Sequence, residues 1–229
     1  MYLIFQTFIQ FFMTDLFLGE KKFTGIQNII FDLGGVIINI DYQCTIATFR
    51  QIGLDNFDKI YSQLHQTSLF DKYDKGLIAP NEFRKGLLQA AHIEIGDDVF
   101  DNAWNAMLLN LPEENIVLLK NLKSHFNTIL LSNTNEIHLR YFFGYLYENH
   151  GIPDFSSLFH KTYYSCRIQM RKPDEEIYIK VLNENGFKAS QTLFIDDTLI
   201  NINEAEKLGI QCYFMQKEDS LTSLFAEFR

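Results

Sequence analysis

The sequence is poor in the residues that mark several classes of protein. Its 229 residues include three cysteines, and these are Cys44, Cys166 and Cys212. An odd number of widely spaced cysteines provides neither a disulfide framework nor a cysteine-based zinc site. We therefore expect a protein of the reducing cytoplasm.

Positive charge is also scarce. Lys and Arg total 20 against 29 Asp and Glu, the formal net charge is −9, and no basic run occurs. Proteins that bind nucleic acid normally carry a basic patch or stripe, so we expect no nucleic-acid partner. The acidic balance is more typical of solubility than of a specific function.

An uninterrupted membrane span is missing as well, although residues 1–18 are almost all apolar with Asp15 as their single charge. A signal peptide begins with basic residues, whereas Lys21 and Lys22 follow the apolar run. Polar residues interrupt the run at Gln6, Gln10, Thr14 and Asp15, which disfavours a membrane span. We predict that residues 1–24 are an extension outside the core, arising from an upstream start codon. The alternative is a helix that binds a membrane surface or a partner.

The rest of the chain predicts an α/β fold. Short continuous apolar runs are typical of buried parallel strands, and they occur at Asn28–Phe31, Asn127–Leu131, Thr192–Ile195 and Ile210–Met215. Helical patterns separate these runs. Such alternation predicts a doubly wound parallel sheet with helices on both faces.

A long stretch between the first two strands has helical character and no strand-like run. We expect residues 43–111 to form an inserted all-helical domain, with residues 25–42 and 112–229 forming the core domain. A chain of this length accommodates a core domain and a smaller insert.

Polar side chains of distinct kinds follow the predicted strands. They are Asp32 after the first, Ser132 and Asn133 after the second, Asp196 and Asp197 after the third, with Lys172 as a nearby cation. The carboxyl ends of parallel strands lie on one side of a sheet. Carboxylates placed close together repel one another unless a cation neutralises them, and Mg²⁺ binds carboxylates together with phosphate oxygens. The pattern therefore predicts a magnesium–phosphate site.

Four motifs in order resemble those of the haloacid dehalogenase (HAD) superfamily. They are Phe31-Asp32-Leu33-Gly34-Gly35-Val36, Leu131-Ser132-Asn133-Thr134-Asn135, Arg171-Lys172-Pro173 and Phe194-Ile195-Asp196-Asp197. Each motif is weak alone, but four in order over residues 26–216 are specific. The first motif is similar to that of subfamily IA members of the glucose-1-phosphate phosphatase type. The resemblance implies a Rossmann-like core in which the helical insert is a cap.

The resemblance also implies roles for the site residues. Asp32 would attack phosphorus and form an aspartyl-phosphate. Asp32, the Gly34 carbonyl and Asp197 would bind Mg²⁺, with Asp196 as a further acidic group of the metal site.

The phosphate group would have its own ligands. Ser132 and the main-chain N–H of Asn133 would hold phosphate oxygens, and Lys172 would offset the charge of nucleophile and phosphate. These roles agree with a reaction in which positioning and charge stabilisation provide most of the catalysis.

One position departs from the common superfamily pattern. Most superfamily phosphatases carry a second Asp two residues after the nucleophile as general acid and base, and this chain has Gly34. Such acid–base help contributes about 10²–10⁴-fold to the rate. Water or another residue would have to supply the proton. Asp41 is one candidate, although its position also suits a loop or a helix cap.

We predict an Mg²⁺-dependent HAD-type phosphatase that acts on a small phosphorylated metabolite such as a sugar phosphate. The alternatives are a 2-haloacid dehalogenase-type hydrolase and a HAD-fold binding or regulatory protein with weak turnover. The protein would be a monomer or a homodimer. The cap would cover the site and select the substrate. Trp104 and His65 could contact it, although packing explains such residues more often. The sequence shows no spacing typical of metal ligands among His125, His138, His150 and His160.

Overall fold

The computed structural model describes residues 14–19, 21–55, 57, 59 and 68–228. Its strands are β1 (Thr14–Leu18), β2 (Lys21–Ile26), β3 (Asn28–Phe31), β4 (Asn127–Ser132), β5 (Lys161–Tyr164), β6 (Thr192–Asp196) and β7 (Gln211–Phe214). Its α-helices are α1 (Tyr42–Gln51), α2 (Ser68–Asp74), α3 (Pro80–Ala91), α4 (Asp97–Asn105), α5 (Glu113–His125), α6 (Glu136–His150), α7 (Ser165–Ile168), α8 (Glu175–Asn185), α9 (Leu199–Lys207) and α10 (Leu221–Leu224). Single 3₁₀ turns span Phe155–Leu158, Ala189–Gln191 and Ala226–Phe228. None of these helices combines the length and the apolar character that crossing a membrane requires.

Five of the strands form one parallel sheet in the order β5-β4-β3-β6-β7. Strand β3 lies at its centre, and all four of its residues are buried. Helices connect successive strands, so each crossover returns the chain to the same edge of the sheet. The predicted α/β fold with a parallel sheet is confirmed.

Apolar side chains leave the sheet on both faces because neighbouring residues of a strand point in opposite directions. On one face Ile30, Ile129 and Phe194 pack with residues of α8 and α9. On the other face Ile29 and Leu130 belong to a larger cluster that includes residues of α5 and α6. The sheet is therefore covered on both sides, as the continuous apolar strands predict.

The segment before β3 is part of this larger cluster. Strands β1 and β2 form an antiparallel hairpin, and its inward residues Leu16, Leu18 and Phe23 are buried in the cluster. The expectation that residues 1–24 lie outside the core is thus corrected for the described part of that segment. Its alternating side chains give the hairpin one apolar face, and burying that face is favourable. Residues 1–13 lie outside the described part of the chain.

Helices α1–α4 pack around an apolar cluster of their own. The aromatic members of this cluster are Phe49, Phe57, Phe70, Tyr73, Phe83, Phe100 and Trp104. Arg84 of α3 forms ion pairs with Asp97 and Asp101 of α4 at 3.1 and 2.7 Å. Ile137 of α6 also joins the cluster, which attaches these helices to the sheet layer. The assignment of residues 43–111 as a separate domain, with these boundaries, stays a prediction. His65 of this segment lies outside the described residues.

The hairpin should contribute directly to folding stability. We expect Leu18→Ala to lower the free energy of unfolding by about 2–5 kcal/mol, because it removes a buried apolar side chain. Its neighbour provides a matched control, since the Phe17 side chain points outward with 59% of its surface exposed. Phe17→Ala should cost less than about 1 kcal/mol. Urea unfolding of both variants checks this. A loss of unfolding free energy in Leu18→Ala as small as that in Phe17→Ala would show that the hairpin is not part of the folding unit.

Candidate active site

Three strand ends meet at one edge of the parallel sheet. The register pairs Phe31 with Leu130 and with Ile195. The residues that follow these three therefore lie side by side. Asp32 follows β3 directly and donates its main-chain N–H to the Ile195 carbonyl at 2.9 Å. Ser132 and Asp196 are the last residues of β4 and β6. The structure therefore brings these predicted site residues together.

Lys172 is the buried cation at the centre of this edge. Its side chain is 1% exposed, and its Nζ donates to Asp32 Oδ1 at 2.7 Å and to Asp196 Oδ2 at 2.6 Å. Burial lowers the pKa of Lys172, but the charges of Asp32 and Asp196 outweigh it and the net pKa is raised. The lysine is therefore a cation held between two carboxylates.

Asn133 fixes the backbone of this lysine through its side chain. Its Oδ1 accepts from the Lys172 main-chain N–H at 2.9 Å, and its Nδ2 donates to the Lys172 carbonyl at 2.7 Å. Only the main-chain N–H of Asn133 was predicted to have a role. The side-chain role was missed because it depends on a contact between residues 39 positions apart.

Asp196 is the second carboxylate partner of Lys172. It has no exposed surface, and it accepts from Thr198 N at 2.8 Å and from Asn201 Nδ2 at 3.0 Å in addition to Lys172. Tyr178 in turn donates to the Asn201 carbonyl at 3.1 Å. These donors occupy both oxygens of Asp196, so its main effect is to hold the lysine in place.

A third carboxylate, Asp197, completes an acidic cluster. Asp32, Asp196 and Asp197 each place an oxygen within 4.8 Å of the others. Burial raises the pKa of Asp32 to about 7; the charge of Lys172 opposes this shift and that of Asp196 adds to it. Burial and the charge of Asp196 also raise the pKa of Asp197. One lysine cannot neutralise three carboxylates, and this donor set fits a hard divalent cation such as Mg²⁺.

Gly35 leaves the space that Asp197 occupies. Its φ is +72°, and a Cβ built on it would lie 2.1 Å from Asp197 Oδ2. Any side chain at this position would be strained and would collide with the carboxylate. The second glycine of the first motif, Gly35, is therefore required by this close approach.

Gly34 stands where superfamily phosphatases usually carry the general acid, and Ile40 packs beside it. A Cβ on Gly34 would lie 3.2 Å from Ile40 Cδ1. Asp41, the candidate replacement, instead caps α1, because its Oδ1 accepts from Gln43 N at 2.9 Å. The position next to Asp32 is therefore apolar and provides no acid.

A cavity of about 560 Å³ opens from these groups. Its polar lining includes Asp32, Ser132, Asn133, Lys172, Asp197 and His138, and residues of α1, α2 and α4 contribute to its wall. Asp196 is not among the lining residues. This volume is typical of a site for a small molecule.

Ion pairs connect α2 to the loop that carries Lys172. Arg171 Nη1 lies 3.4 Å from Asp74 Oδ2 and 3.7 Å from Asp71 Oδ1, and Lys75 pairs with Asp71 and Asp174 at 3.2 and 2.9 Å. Burial raises the pKa of Asp74 to about 6, while Arg171 opposes the shift. The pairs of Arg171 and Asp174 with this helix region have no local sequence signal, because they join segments about a hundred residues apart.

Known hydrolases are similar to this chain. Residues 146–215 match the family model of haloacid dehalogenase-like hydrolases. A D-ribitol-5-phosphate phosphatase of Bacteroides thetaiotaomicron is 29% identical over 188 residues, which cover 82% of this chain and 91% of that protein.

Solved structures are also similar. A HAD family enzyme of Bacteroides thetaiotaomicron, in complex with magnesium and inorganic phosphate, is 36% identical with a TM-score of 0.78 and covers 88% of this chain and 100% of its own. A HAD-like family hydrolase of Porphyromonas gingivalis is 29% identical with a TM-score of 0.76, covering 89% and 98%.

The close approach of Gly35 to Asp197 predicts a specific metal-binding defect. We expect Gly35→Ala to weaken Mg²⁺ binding about 10–100-fold, as is typical when a group that positions a metal ligand is disturbed. Gly53→Ala is the matched control, because Gly53 also has a positive φ (+96°) but no atom of the described residues lies within 4 Å of its added Cβ. Both variants should lose about 1–2 kcal/mol from backbone strain. Isothermal titration with Mg²⁺ separates them, and equal affinities would contradict the predicted collision.

Proposed function

The chain belongs to the haloacid dehalogenase superfamily, as an enzyme of the phosphoric monoester hydrolase class, and we propose that it hydrolyses a small phosphorylated metabolite such as a sugar or sugar-alcohol phosphate. The observation that carries this proposal is the buried Lys172 between Asp32 and Asp196 beside a third carboxylate. The relative named D-ribitol-5-phosphate phosphatase supports the substrate class.

Asp32 is the proposed nucleophile. Lys172 holds its carboxylate through Oδ1 at 2.7 Å, which fixes the side chain in the wall of the cavity. Attack on phosphorus would form an aspartyl-phosphate and release the alcohol, and water would then hydrolyse this intermediate. The lysine charge stabilises the negative charge shared by nucleophile and phosphate.

Mg²⁺ is the proposed cofactor, held by Asp32, Asp197 and the Gly34 carbonyl, with Asp196 close by and engaged with Lys172. When bound, the cation neutralises phosphate oxygens and orients the substrate. Ser132, which is 3% exposed at the end of β4, and the Asn133 N–H would bind the phosphate oxygens.

We also propose that residues 43–111 act as a cap. Residues of this segment, among them Asp74 and Trp104, line the cavity together with Asp32. A segment placed in this way can exclude water from the aspartyl-phosphate until the substrate is positioned. The cytoplasmic location and the monomer or homodimer state stay predictions.

The first test is phosphate release from a panel of phosphorylated metabolites. We expect release that needs Mg²⁺, stops with EDTA and is lost in Asp32→Asn, because nucleophile and cation are both required. Absence of release from every compound would contradict the phosphatase proposal. Activity on 2-haloacids would then favour the dehalogenase alternative, and ligand binding without turnover would favour a regulatory protein.

Lys172 provides a second test. We expect Lys172→Ala to lower kcat/KM more than about tenfold, since it removes the charge that stabilises the transition state. Lys180→Ala is a control for loss of a surface lysine, because Lys180 pairs with Glu184 on α8 away from the cavity. Thermal melting of each variant separates misfolding from lost catalysis. Wild-type turnover by a folded Lys172→Ala protein would exclude the proposed role.

The apolar position beside Asp32 predicts a dependence on the leaving group. Without a positioned acid at Gly34, the departing oxygen takes more negative charge in the transition state. We expect kcat/KM for a series of substituted phenyl phosphates to rise steeply as the pKa of the phenol falls. A kcat/KM that does not change with the pKa of the phenol would show that another residue supplies the proton. If kcat/KM then depended steeply on the phenol pKa in the Asp74→Asn variant, Asp74 would be that residue.

A further inference from the structure

Two aromatic rings from different elements meet in the wall of the cavity. Trp104 of α4 and His138 of α6 stack with their planes 7° apart and their centroids 5.4 Å apart. Both line the cavity that contains Asp32, and they are 6% and 9% exposed. The pair therefore joins the helical segment to the sheet layer at a surface that a substrate can contact.

His138 is fixed in one protonation state and one tautomer. Its Nδ1 lies 2.9 Å from Asn105 Oδ1, and because an amide oxygen only accepts, Nδ1 carries the proton. Burial lowers the pKa of His138 to about 3, so the ring is neutral at physiological pH. Its Nε2 then has a free lone pair and is a hydrogen-bond acceptor.

Trp104 supplies an unused donor. Its Nε1–H is buried and has no hydrogen-bond partner among the residues that the structure describes. The ring is held in place, because Thr45 Oγ1 donates to the Trp104 carbonyl at 3.1 Å and Phe83 packs edge-on against it. A buried donor without a partner is costly, and a ligand oxygen would relieve that cost.

We infer that Trp104 and His138 form a hydroxyl-binding subsite, which accepts an uncharged, polyhydroxylated substrate tail. A hydroxyl group accepts from Nε1–H of one ring or donates to Nε2 of the other, and neighbouring hydroxyls of a sugar or sugar alcohol can do both. This inference rests on the proposed phosphatase function and specifies its substrate.

The charges around the cavity favour an uncharged tail. A second phosphate or a carboxylate would need a cation, and neutral His138 offers none. Arg171, which also lines the cavity, already pairs with Asp74 and Asp71. A second anionic group would therefore compete with two carboxylates for Arg171, whose buried Nε has no hydrogen-bond partner among the described residues.

The test compares two substrates with the same chain length and the same primary leaving group. Ribitol 5-phosphate carries the hydroxyl groups, and n-pentyl phosphate lacks them. Trp104→Phe removes the N–H and keeps an aromatic ring. We expect the ratio of kcat/KM for ribitol 5-phosphate over pentyl phosphate to fall about threefold to tenfold, which is the usual net value of one hydrogen bond.

Two substitutions of His138 separate its two nitrogens. The amide of Asn lies near the place of Nδ1, and the amide of Gln reaches the place of Nε2. His138→Asn should lower the substrate ratio, whereas His138→Gln should restore much of it. Phe100→Leu is the packing control, because Phe100 stacks on Trp104 at 6.2 Å but does not line the cavity, and its ratio should equal that of the wild type.

A wild-type ratio in both Trp104→Phe and His138→Asn would overturn the subsite while the phosphatase proposal stands. Ribonate 5-phosphate, with a carboxylate at its far end, should be a poorer substrate than ribitol 5-phosphate, and the reverse order would overturn the uncharged tail. If the wild type releases no phosphate from any compound, the phosphatase proposal fails. The ratio of the calorimetric affinities for ribitol 5-phosphate and pentyl phosphate would then test the subsite.

Discussion

The buried ion triad of Asp32, Lys172 and Asp196 is the interaction on which the rest of the site depends. Removing a charge from water is costly, and a buried lysine persists only when carboxylates and hydrogen bonds surround it. Here both carboxylates lie within 2.7 Å of Nζ. Loss of Lys172 would leave Asp32 and Asp196 close together without a cation between them, so the three residues must be positioned together.

The parallel sheet provides that positioning. Its central strand β3 carries Asp32 and its neighbour β6 carries Asp196, and the register between them is fixed by pairing across fully buried apolar residues. A shift of one residue would move every side chain of the strand to the opposite face of the sheet and displace the two carboxylates from one another. The apolar strands and the charged strand ends therefore specify the same arrangement. The Lys172 loop is then tied to the end of β4 by both side-chain hydrogen bonds of Asn133.

The sequence allowed the sheet and the convergence of Asp32, Ser132, Lys172 and Asp196 to be predicted, because both follow from short local patterns. Three features could not be predicted. The sequence of the hairpin before β3 predicts an extension outside the core. Only its burial against the core shows that the hairpin belongs to it. Ile40 beside Gly34 and the ring pair of Trp104 and His138 depend on contacts between distant segments. Local patterns identify which residues are chemically able to act, whereas tertiary packing decides which of them share a cavity.

The ion pairs that link α2 to the Lys172 loop are weaker than those that hold Lys172 itself. Arg171 and Lys75 link α2 to the Lys172 loop through partly exposed ion pairs, and pairs of this kind contribute about 0–1 kcal/mol each. Breaking a buried pair such as Lys172–Asp196 costs about 3–5 kcal/mol. Movement of α2 away from the loop would therefore break weak contacts first and leave Lys172 in place. The cap proposed for the helical segment would therefore admit and release substrate while the charges that act on phosphorus stay fixed.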